Sequence, residues 1–145
     1  QYYYPNTTKA NTTEAYIGAS WGPVSAKYSN TLSKGYFGTG IGAAGNLSDG
    51  RGTQYFNLGF AKEVAPSWTL KASVGQTSFK QAVKAAGVPN FTDYSVGVSY
   101  DFGNSLSLAG YVQGASQKNS YTYTVGGDTK SLNRDTFILT LTKAF

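Results

Sequence analysis

The chain has no histidine, no cysteine and no methionine among its 145 residues. Without a thiol or an imidazole there can be no disulfide framework and no zinc–thiolate site. The acid–base and nucleophilic chemistry that depends on His or Cys is excluded for the same reason. The sequence therefore predicts a protein that is not an enzyme and that uses no cofactor and no metal ion.

Charged residues and long apolar runs are also scarce. Charged side chains make up 13% of the chain, and no run approaches the roughly 18 consecutive apolar residues of a transmembrane helix. The net charge is +5, but the basic residues are scattered singly, so nucleic acid is not expected as a partner. Glycine (18), tyrosine (12) and phenylalanine (8) are abundant instead, and together with Ser and Thr they favour strands over helices.

Apolar and polar residues alternate with a period of two along seven segments, which is the pattern of strands with two different faces. One face of each segment is apolar, as in Val96 and Val98, and the opposite face is small or polar, as in Ser95 and Gly97. The predicted strands are Thr13–Gly22, Val24–Leu32, Gln54–Val64, Trp68–Ser78, Thr92–Phe102, Leu106–Ala115 and Asp135–Phe145.

The connections between these segments alternate between short and long. The short ones lie at Gly22–Pro23, Ala65–Ser67 and Gly103–Ser105, and the long ones at Ser33–Thr53, Phe79–Phe91 and Gln117–Arg134. Short turns at one rim and long loops at the other are typical of bacterial outer-membrane barrels. Gln1–Tyr4 is predicted to end one more strand, and Pro5–Thr12 to be the loop after it.

The fold class that these patterns predict is all-β. The expected architecture is an antiparallel up-and-down transmembrane β-barrel with about seven to eight visible strands, incomplete at its N-terminus. Residues 1–145 would form this single β-barrel domain or the C-terminal part of one. The alternative is a water-soluble sandwich or barrel with the aromatic side chains in its core.

Three sets of side chains are candidates for a functional role in such a barrel. Aromatic residues on the apolar faces predict a girdle at the short-turn rim, formed by Trp21, Trp68, Tyr100 and Phe102. Charges on the polar faces would lie in the lumen, either as interior ion pairs or as determinants of selectivity: Glu14, Lys27, Glu63, Lys71, Asp93 and Asp101. Basic residues in the long loops would either contact lipopolysaccharide phosphates or simply be solvated: Lys9, Lys34, Arg51, Lys80, Lys84, Lys118, Lys130 and Arg134.

The last strand carries the pattern Phe137-x-Leu139-x-Leu141-x-Lys143-x-Phe145. It resembles the C-terminal signal of bacterial outer-membrane barrels, which implies that Phe137, Leu139, Leu141 and Phe145 are recognised by the outer-membrane assembly machinery. The stretches YYYPNTT, TEAYIGASWGPVSAKYSNTLS, WTLKASVGQTSF and FTDYSVGVSYDFGNSLSLAGYV resemble the TorF-type porin family of proteobacterial outer-membrane β-barrels. Members of that family are longer, with a signal peptide and further strands upstream.

The leading functional hypothesis is a porin-like passive channel for small solutes in the bacterial outer membrane. Glycines on the polar faces, such as Gly59 and Gly97, would leave room for water. The alternative is a non-conducting structural or interaction barrel that serves as a surface anchor, an adhesin or a subunit of a surface assembly. Membrane lipid and lipopolysaccharide are the expected partners. The unpaired edges of the sheet are expected to pair with upstream strands of the same precursor or with another copy in a homo-oligomer.

Overall fold

The computed structural model describes residues 1–3, 11–37 and 49–145. Its main element is a seven-stranded antiparallel sheet in the order β1-β2-β3-β4-β5-β6-β9. The strands of this sheet are β1 (Glu14–Trp21), β2 (Val24–Thr31), β3 (Gln54–Ala65), β4 (Trp68–Ser78), β5 (Phe91–Gly103), β6 (Leu106–Ala115) and β9 (Thr136–Lys143). A short helix α1 (Gln81–Ala85) follows β4, and the strands β7 (Thr122–Val125) and β8 (Asp128–Ser131) form a separate hairpin. The all-β prediction is confirmed.

Each of the seven predicted strands corresponds to one strand of the large sheet, and no end differs by more than two residues. The three short connections are also tight turns in the structure. In the turn between β5 and β6, Asn104 (φ 49°) and Ser105 (φ 61°) both adopt the left-handed conformation, and Gly22 (φ 56°) does so between β1 and β2. Positive φ at the central residues matches the twist of the two flanking strands, so these turns favour hairpins.

Two of the predicted loops contain secondary structure that the sequence reading missed. Gln117–Arg134 was expected to be a loop, but Thr122–Val125 pairs antiparallel with Asp128–Ser131. The turn of this hairpin is Gly126-Gly127, with φ values of 61° and 90°. A Gly-Gly pair between alternating residues is a recognised hairpin signal. The loop Phe79–Phe91 contains α1, which is too short for its helical periodicity to be visible in the sequence.

The N-terminal residues lie beside the segment that leads into β1. Tyr2 and Thr12 form an isolated antiparallel bridge, in which the Tyr2 amide donates to the Thr12 carbonyl at 2.7 Å and the Thr12 amide donates to the Tyr2 carbonyl at 3.0 Å. One bridge is shorter than a strand, so the further strand ending at Gln1–Tyr4 stays a prediction. Tyr4, Lys9, most of the loop Pro5–Thr12 and the middle of the loop Ser33–Thr53 lie outside the described residues.

By its contacts the chain divides into two units, and the first comprises Gln1–Gly18, Lys27–Phe56 and Gln76–Phe91. A small apolar cluster in this unit is built around Val83 of α1 and Phe79, which are fully and almost fully buried. Tyr36, Val88 and Phe91 pack against them, and the ring of Phe79 lies 5.7 Å from that of Tyr36, edge to face. This packing explains why five residues hold a helical turn that would not be stable by itself.

The second unit comprises Ala19–Ala26, Asn57–Gly75 and Thr92–Phe145, and it contains β6, β9 and most of β5. These three strands are in continuous antiparallel register: Val98 lies opposite Gly110, which lies opposite Leu139. On the other face, Gly97 lies opposite Tyr111. β1 and β9 stand at the two ends of the strand order, and the described strands form no closed barrel.

Candidate functional site on the polar face of the sheet

The two faces of the sheet have the reverse of the burial expected in a water-soluble protein. The apolar side chains are the exposed ones: Val96 is 51% exposed, Leu139 63% and Phe137 67%. On β5 the small and polar residues that alternate with the apolar ones, such as Ser95 and Gly97, are half-buried, whereas on β1 nearly every residue of both faces is exposed. A soluble sandwich would cover the apolar face with a second sheet. In the described part of the chain that face has no cover, and monomeric soluble proteins rarely expose apolar patches of this extent.

The opposite face, which we call the polar face, consists of small side chains in close contact. The hydroxyls of Ser73 on β4 and Ser95 on β5 are hydrogen-bonded at 2.9 Å. Gly97 lies so close to its cross-strand partner Tyr111 that an added Cβ would overlap the backbone and Cβ of that tyrosine. A cavity of about 210 Å³ lies beside this glycine and is also lined by Lys71 and Ser99.

A larger cavity of about 310 Å³ lies on the second unit, where β5 and β9 begin and β6 ends. Its lining is predominantly polar: Asp93 and Ser95 come from β5, Gln113 from β6, and Asn133 and Arg134 from the segment that joins β8 to β9. The cavity therefore brings together one carboxylate, one guanidinium, amides and hydroxyls, which are the groups that bind small polar solutes.

The segment that carries Arg134 is fixed to the end of β6 by hydrogen bonds. The Asn133 side-chain amide donates to the Ser116 carbonyl at 2.6 Å, and the Asn133 carbonyl accepts from the Ala115 amide at 3.2 Å. Ser116 is in turn tied to β5, because its amide donates to the Thr92 carbonyl at 2.8 Å and its hydroxyl accepts from the Thr92 amide. These hydrogen bonds fix the backbone next to Asp93 on one side of the cavity and next to Arg134 on the other.

The predicted lumen charges are on the polar faces of their strands, and four of them have defined partners other than each other. The Glu14 carboxylate accepts from the Thr31 hydroxyl at 3.3 Å, and the Lys27 ammonium lies 4.4 Å from the centre of the Tyr16 ring.

Glu63 and Asp101 accept hydrogen bonds from turn amides, those of Ser67 at 3.0 Å and of Gly103 at 2.8 Å. Two of the short turns therefore supply backbone partners for carboxylates at the strand ends. Asp93 lines the larger cavity and Lys71 the smaller one. The selectivity role of these charges stays a prediction.

The aromatic side chains predicted for the short-turn rim lie at the strand ends next to the short turns. The rings of Trp68 and Tyr100 are 4.9 Å apart, and Tyr100 and Phe102 are also 4.9 Å apart in an edge-to-face arrangement. Trp21, at the end of β1, is 89% exposed. Phe137, Leu139 and Leu141 of β9 and Phe145 beyond its end are all exposed, and their role as an assembly signal stays a prediction.

Ion pairs occur in and beside the long loops. Asp135 accepts from Lys118 at 2.7 Å and from the Tyr94 hydroxyl at 2.5 Å, and these hydrogen bonds lower the pKa of Asp135 and raise that of Lys118. The second pair joins Asp49 and Arg51, and their hydrogen bond lowers the pKa of Asp49 to about 2. Both pairs use basic residues that were predicted only as loop charges.

Among the described residues, no cluster of three or more His, Cys, Asp and Glu side chains could hold a metal ion. In that same part of the chain, no helix has the length and apolar character needed to cross a membrane.

The fold and the site define a class of protein. It is all-β, and its sheet has one exposed apolar face and an opposite face of small and polar residues. Within that class, a model of a bacterial family of unknown function, Gcw_chp, matches residues 1–145, so the chain belongs to this family. No curated protein and no solved structure matches it. The resemblance to the TorF-type porin family was wrong, since the matching family is a different one and nothing in the match indicates such porins. The stretches that suggested it are strand and turn residues, which many sheet proteins share.

Proposed function

We propose that this chain forms the wall of an outer-membrane β-barrel and that the barrel works as a passive channel for small solutes. The observation that supports the proposal is the reversed burial along β5, where apolar side chains are exposed and small polar ones are half-buried. Leaving a side chain of the size of Val, Leu or Phe in water instead of an apolar medium costs about 1.5–3 kcal/mol. A face made of such side chains is stable when lipid covers it, and hydrogen bonding within the sheet satisfies the backbone there.

A water-filled interior is supported by the charged side chains of the polar face. Lys27, Glu63, Lys71 and Asp101 are all exposed, although their face is otherwise rich in half-buried small residues. A plugged barrel would pair such charges or bury them against other side chains, because an isolated charge is costly away from water. Exposed charges on this face favour a channel over a non-conducting anchor.

Single-cysteine labelling tests the assignment of the two faces, and the chain is suited to it because it contains no native cysteine. Ser73→Cys and Val74→Cys are adjacent positions on β4 that point to opposite faces. In protein reconstituted into vesicles, a membrane-impermeant thiol reagent should modify Ser73→Cys rapidly and Val74→Cys slowly. Equal labelling at the two positions would contradict a lipid-facing apolar surface.

Conductance of the reconstituted protein in planar bilayers tests the channel itself. We expect stepwise currents that fall when a bulky reagent is attached to Ser73→Cys and that do not change with the same treatment of Val74→Cys. Protein that inserts with the labelling pattern above but carries no current would support the non-conducting barrel instead.

We also propose that the edges of β1 and β9, which pair with no further strand among the described residues, are paired in the membrane by a strand from the same polypeptide or from a second copy. Each backbone group left unpaired in lipid costs several kcal/mol, so an open edge is not stable there. The bridge between Tyr2 and Thr12 shows that backbone next to β1 accepts an antiparallel neighbour. Cysteines placed in β1 and β9 and joined by a short bifunctional maleimide would distinguish the cases. A cross-linked dimer supports a second copy, whereas an internal cross-link within one copy of these 145 residues would contradict the proposal.

A further inference from the structure

The smaller cavity on the polar face combines one charged group with a mainly apolar wall. It measures about 210 Å³, and all of the residues that line it belong to the second unit. Lys71 of β4 supplies the charge, and no carboxylate is among the described residues that line the cavity. Gly97 of β5 and Ala109 and Tyr111 of β6 supply much of the remaining wall. Pockets for small molecules commonly have this composition, with an apolar wall and few polar groups that fix the orientation of the ligand.

The cavity exists because small residues occupy this part of the polar face. Gly97 and Ala109 have no side-chain atom beyond Cβ, so the surface of the sheet is nearly flat at both positions. Tyr111 lies directly opposite Gly97, and its long side chain borders that flat surface. An added Cβ at Gly97 would overlap the Cβ of Tyr111, so the close approach of the two strands keeps this position free of a side chain.

Lys71 determines the sign of the charge at the cavity. It is exposed, and it forms no ion pair with any residue in the described part of the chain. Asp93 and Asp101 of β5 are each four residues from Gly97, which is about 13 Å along a strand at roughly 3.3 Å per residue. The Asp101 carboxylate is held by a turn amide, as is that of Glu63 on β3. Since charges in water are largely screened beyond about 8 Å at physiological salt, the cavity favours an anion.

From this arrangement we infer that the smaller cavity is a binding site for small aromatic carboxylates such as benzoate. The Lys71 ammonium binds the carboxylate through charge-assisted hydrogen bonds. The ring lies on the flat surface at Gly97 and Ala109, beside Tyr111, where its apolar surface is removed from water.

The size of the cavity agrees with this class of solute. An apolar cavity of about 150 Å³ can take up a benzene ring. A volume of about 210 Å³ therefore holds the ring and leaves room for the carboxylate next to Lys71. An inorganic anion uses only the lysine, and a neutral aromatic molecule uses only the wall, so both bind more weakly than benzoate.

The inference rests on the proposed function only in assigning the polar face to water, and binding can be measured without any current. Fluorine NMR on the refolded full chain in a non-ionic detergent would compare para-fluorobenzoate, para-fluorobenzyl alcohol and para-fluorobenzylamine, with protein-free micelles as the blank. These probes share one ring and differ in charge. We expect the carboxylate to bind about tenfold more tightly than the alcohol, and the amine to bind most weakly. A carboxylate that binds no more tightly than the alcohol would overturn the assignment.

Variants of Lys71 identify the charged group. Lys71→Gln should weaken the carboxylate about tenfold, to the level of the alcohol, and leave the alcohol unchanged, whereas Lys71→Arg should retain most of the carboxylate affinity. Lys62→Gln is the matched control, because it removes a positive charge from the neighbouring strand β3 on the opposite face. It should leave all three affinities unchanged. Equal losses in Lys62→Gln and Lys71→Gln would overturn the site, because only the general charge of the protein would then matter.

Ala109→Leu tests the wall independently of the charge. The larger side chain fills part of the cavity, so it should weaken the carboxylate and the alcohol by a similar factor. Unchanged affinities in this variant would show that the ring binds elsewhere. Binding with the expected pattern in a protein that conducts no current would refute the channel and leave the site standing, whereas a conducting protein without this pattern would refute the site alone.

Discussion

Replacing Gly97 by alanine tests how the polar face is packed. An added Cβ at this position would overlap the Cα and Cβ of Tyr111 and the carbonyl oxygen of Gly110. Most of these atoms are backbone atoms or are fixed to it, so they cannot rotate away, and β5 and β6 would have to separate locally. Overpacking of this kind costs about 1–3 kcal/mol, whereas replacing a strand glycine gains about 0.5–1 kcal/mol in conformational entropy. Since the obstacle is rigid, we expect a net loss of about 2 kcal/mol.

Gly110→Ala is the matched control, because it places the same methyl group on the neighbouring strand but on the apolar face. There the added Cβ would lie 3.5 Å from the Phe137 ring and 3.6 Å from a Leu139 methyl, which are ordinary contacts. This variant should be neutral or more stable by a few tenths of a kcal/mol. Urea unfolding in lipid vesicles, followed by tryptophan fluorescence, gives both values. Equal stabilities of the two variants would refute the close approach of Gly97 to Tyr111.

Three further predictions concern the rims of the sheet. The pKa of Asp135 is lowered from its ordinary value of 3.8, so its carboxylate stabilises the fold above that pH, and this stability is lost as the pH falls through the lower folded pKa. In Asp135→Asn the urea midpoint should therefore depend less on pH at the acid end. Phe145→Asp should reduce the amount of folded, heat-modifiable protein in the outer membrane while export continues. Ala144→Asp, on the opposite face, should reduce that amount less. Equal amounts of folded protein in the two variants would argue against an assembly signal. Trp21 and Trp68 should be quenched more strongly by lipids brominated near the headgroup than by lipids brominated near the bilayer centre, and the reverse order would exclude an interfacial girdle.

The strands of the large sheet could be predicted from the sequence because alternation is a strong and local signal. Along β5, Tyr94, Val96 and Val98 alternate with Ser95 and Gly97 without interruption, and both ends of the strand are marked by turn or loop residues. Tertiary contacts are not needed to read such a pattern. The hairpin β7–β8 has alternation over only four residues in each strand, so the Gly126-Gly127 turn was its one clear signal.

The larger cavity could not be predicted, because its residues are brought together by register and loop path. Asp93 and Gln113 come to one place only through the pairing of β5 with β6, in which Ser95 lies opposite Gln113. Arg134 reaches the same place because Asn133, beside it, is bound to Ser116 across 17 positions of sequence. In the sequence Arg134 is one basic residue of a long loop and differs in no visible way from Lys130.

The hydrogen bonds of Glu63 and Asp101 have a physical cause that also bears on the proposed channel. A carboxylate at the end of a strand, such as Glu63 or Asp101, finds the unpaired amides of its own tight turn within 3.0 Å. These amides are fixed in place, whereas a lysine on a neighbouring strand would have to lose the freedom of a long side chain to form the same contact. Lys27 and Lys71 are exposed on the same face, which we assign to water. If that face lines a channel, its exposed positive charges lie among carboxylates whose geometry is fixed by turns. Exchanging Lys71 for glutamate should therefore shift ion selectivity toward cations while leaving the folded sheet intact.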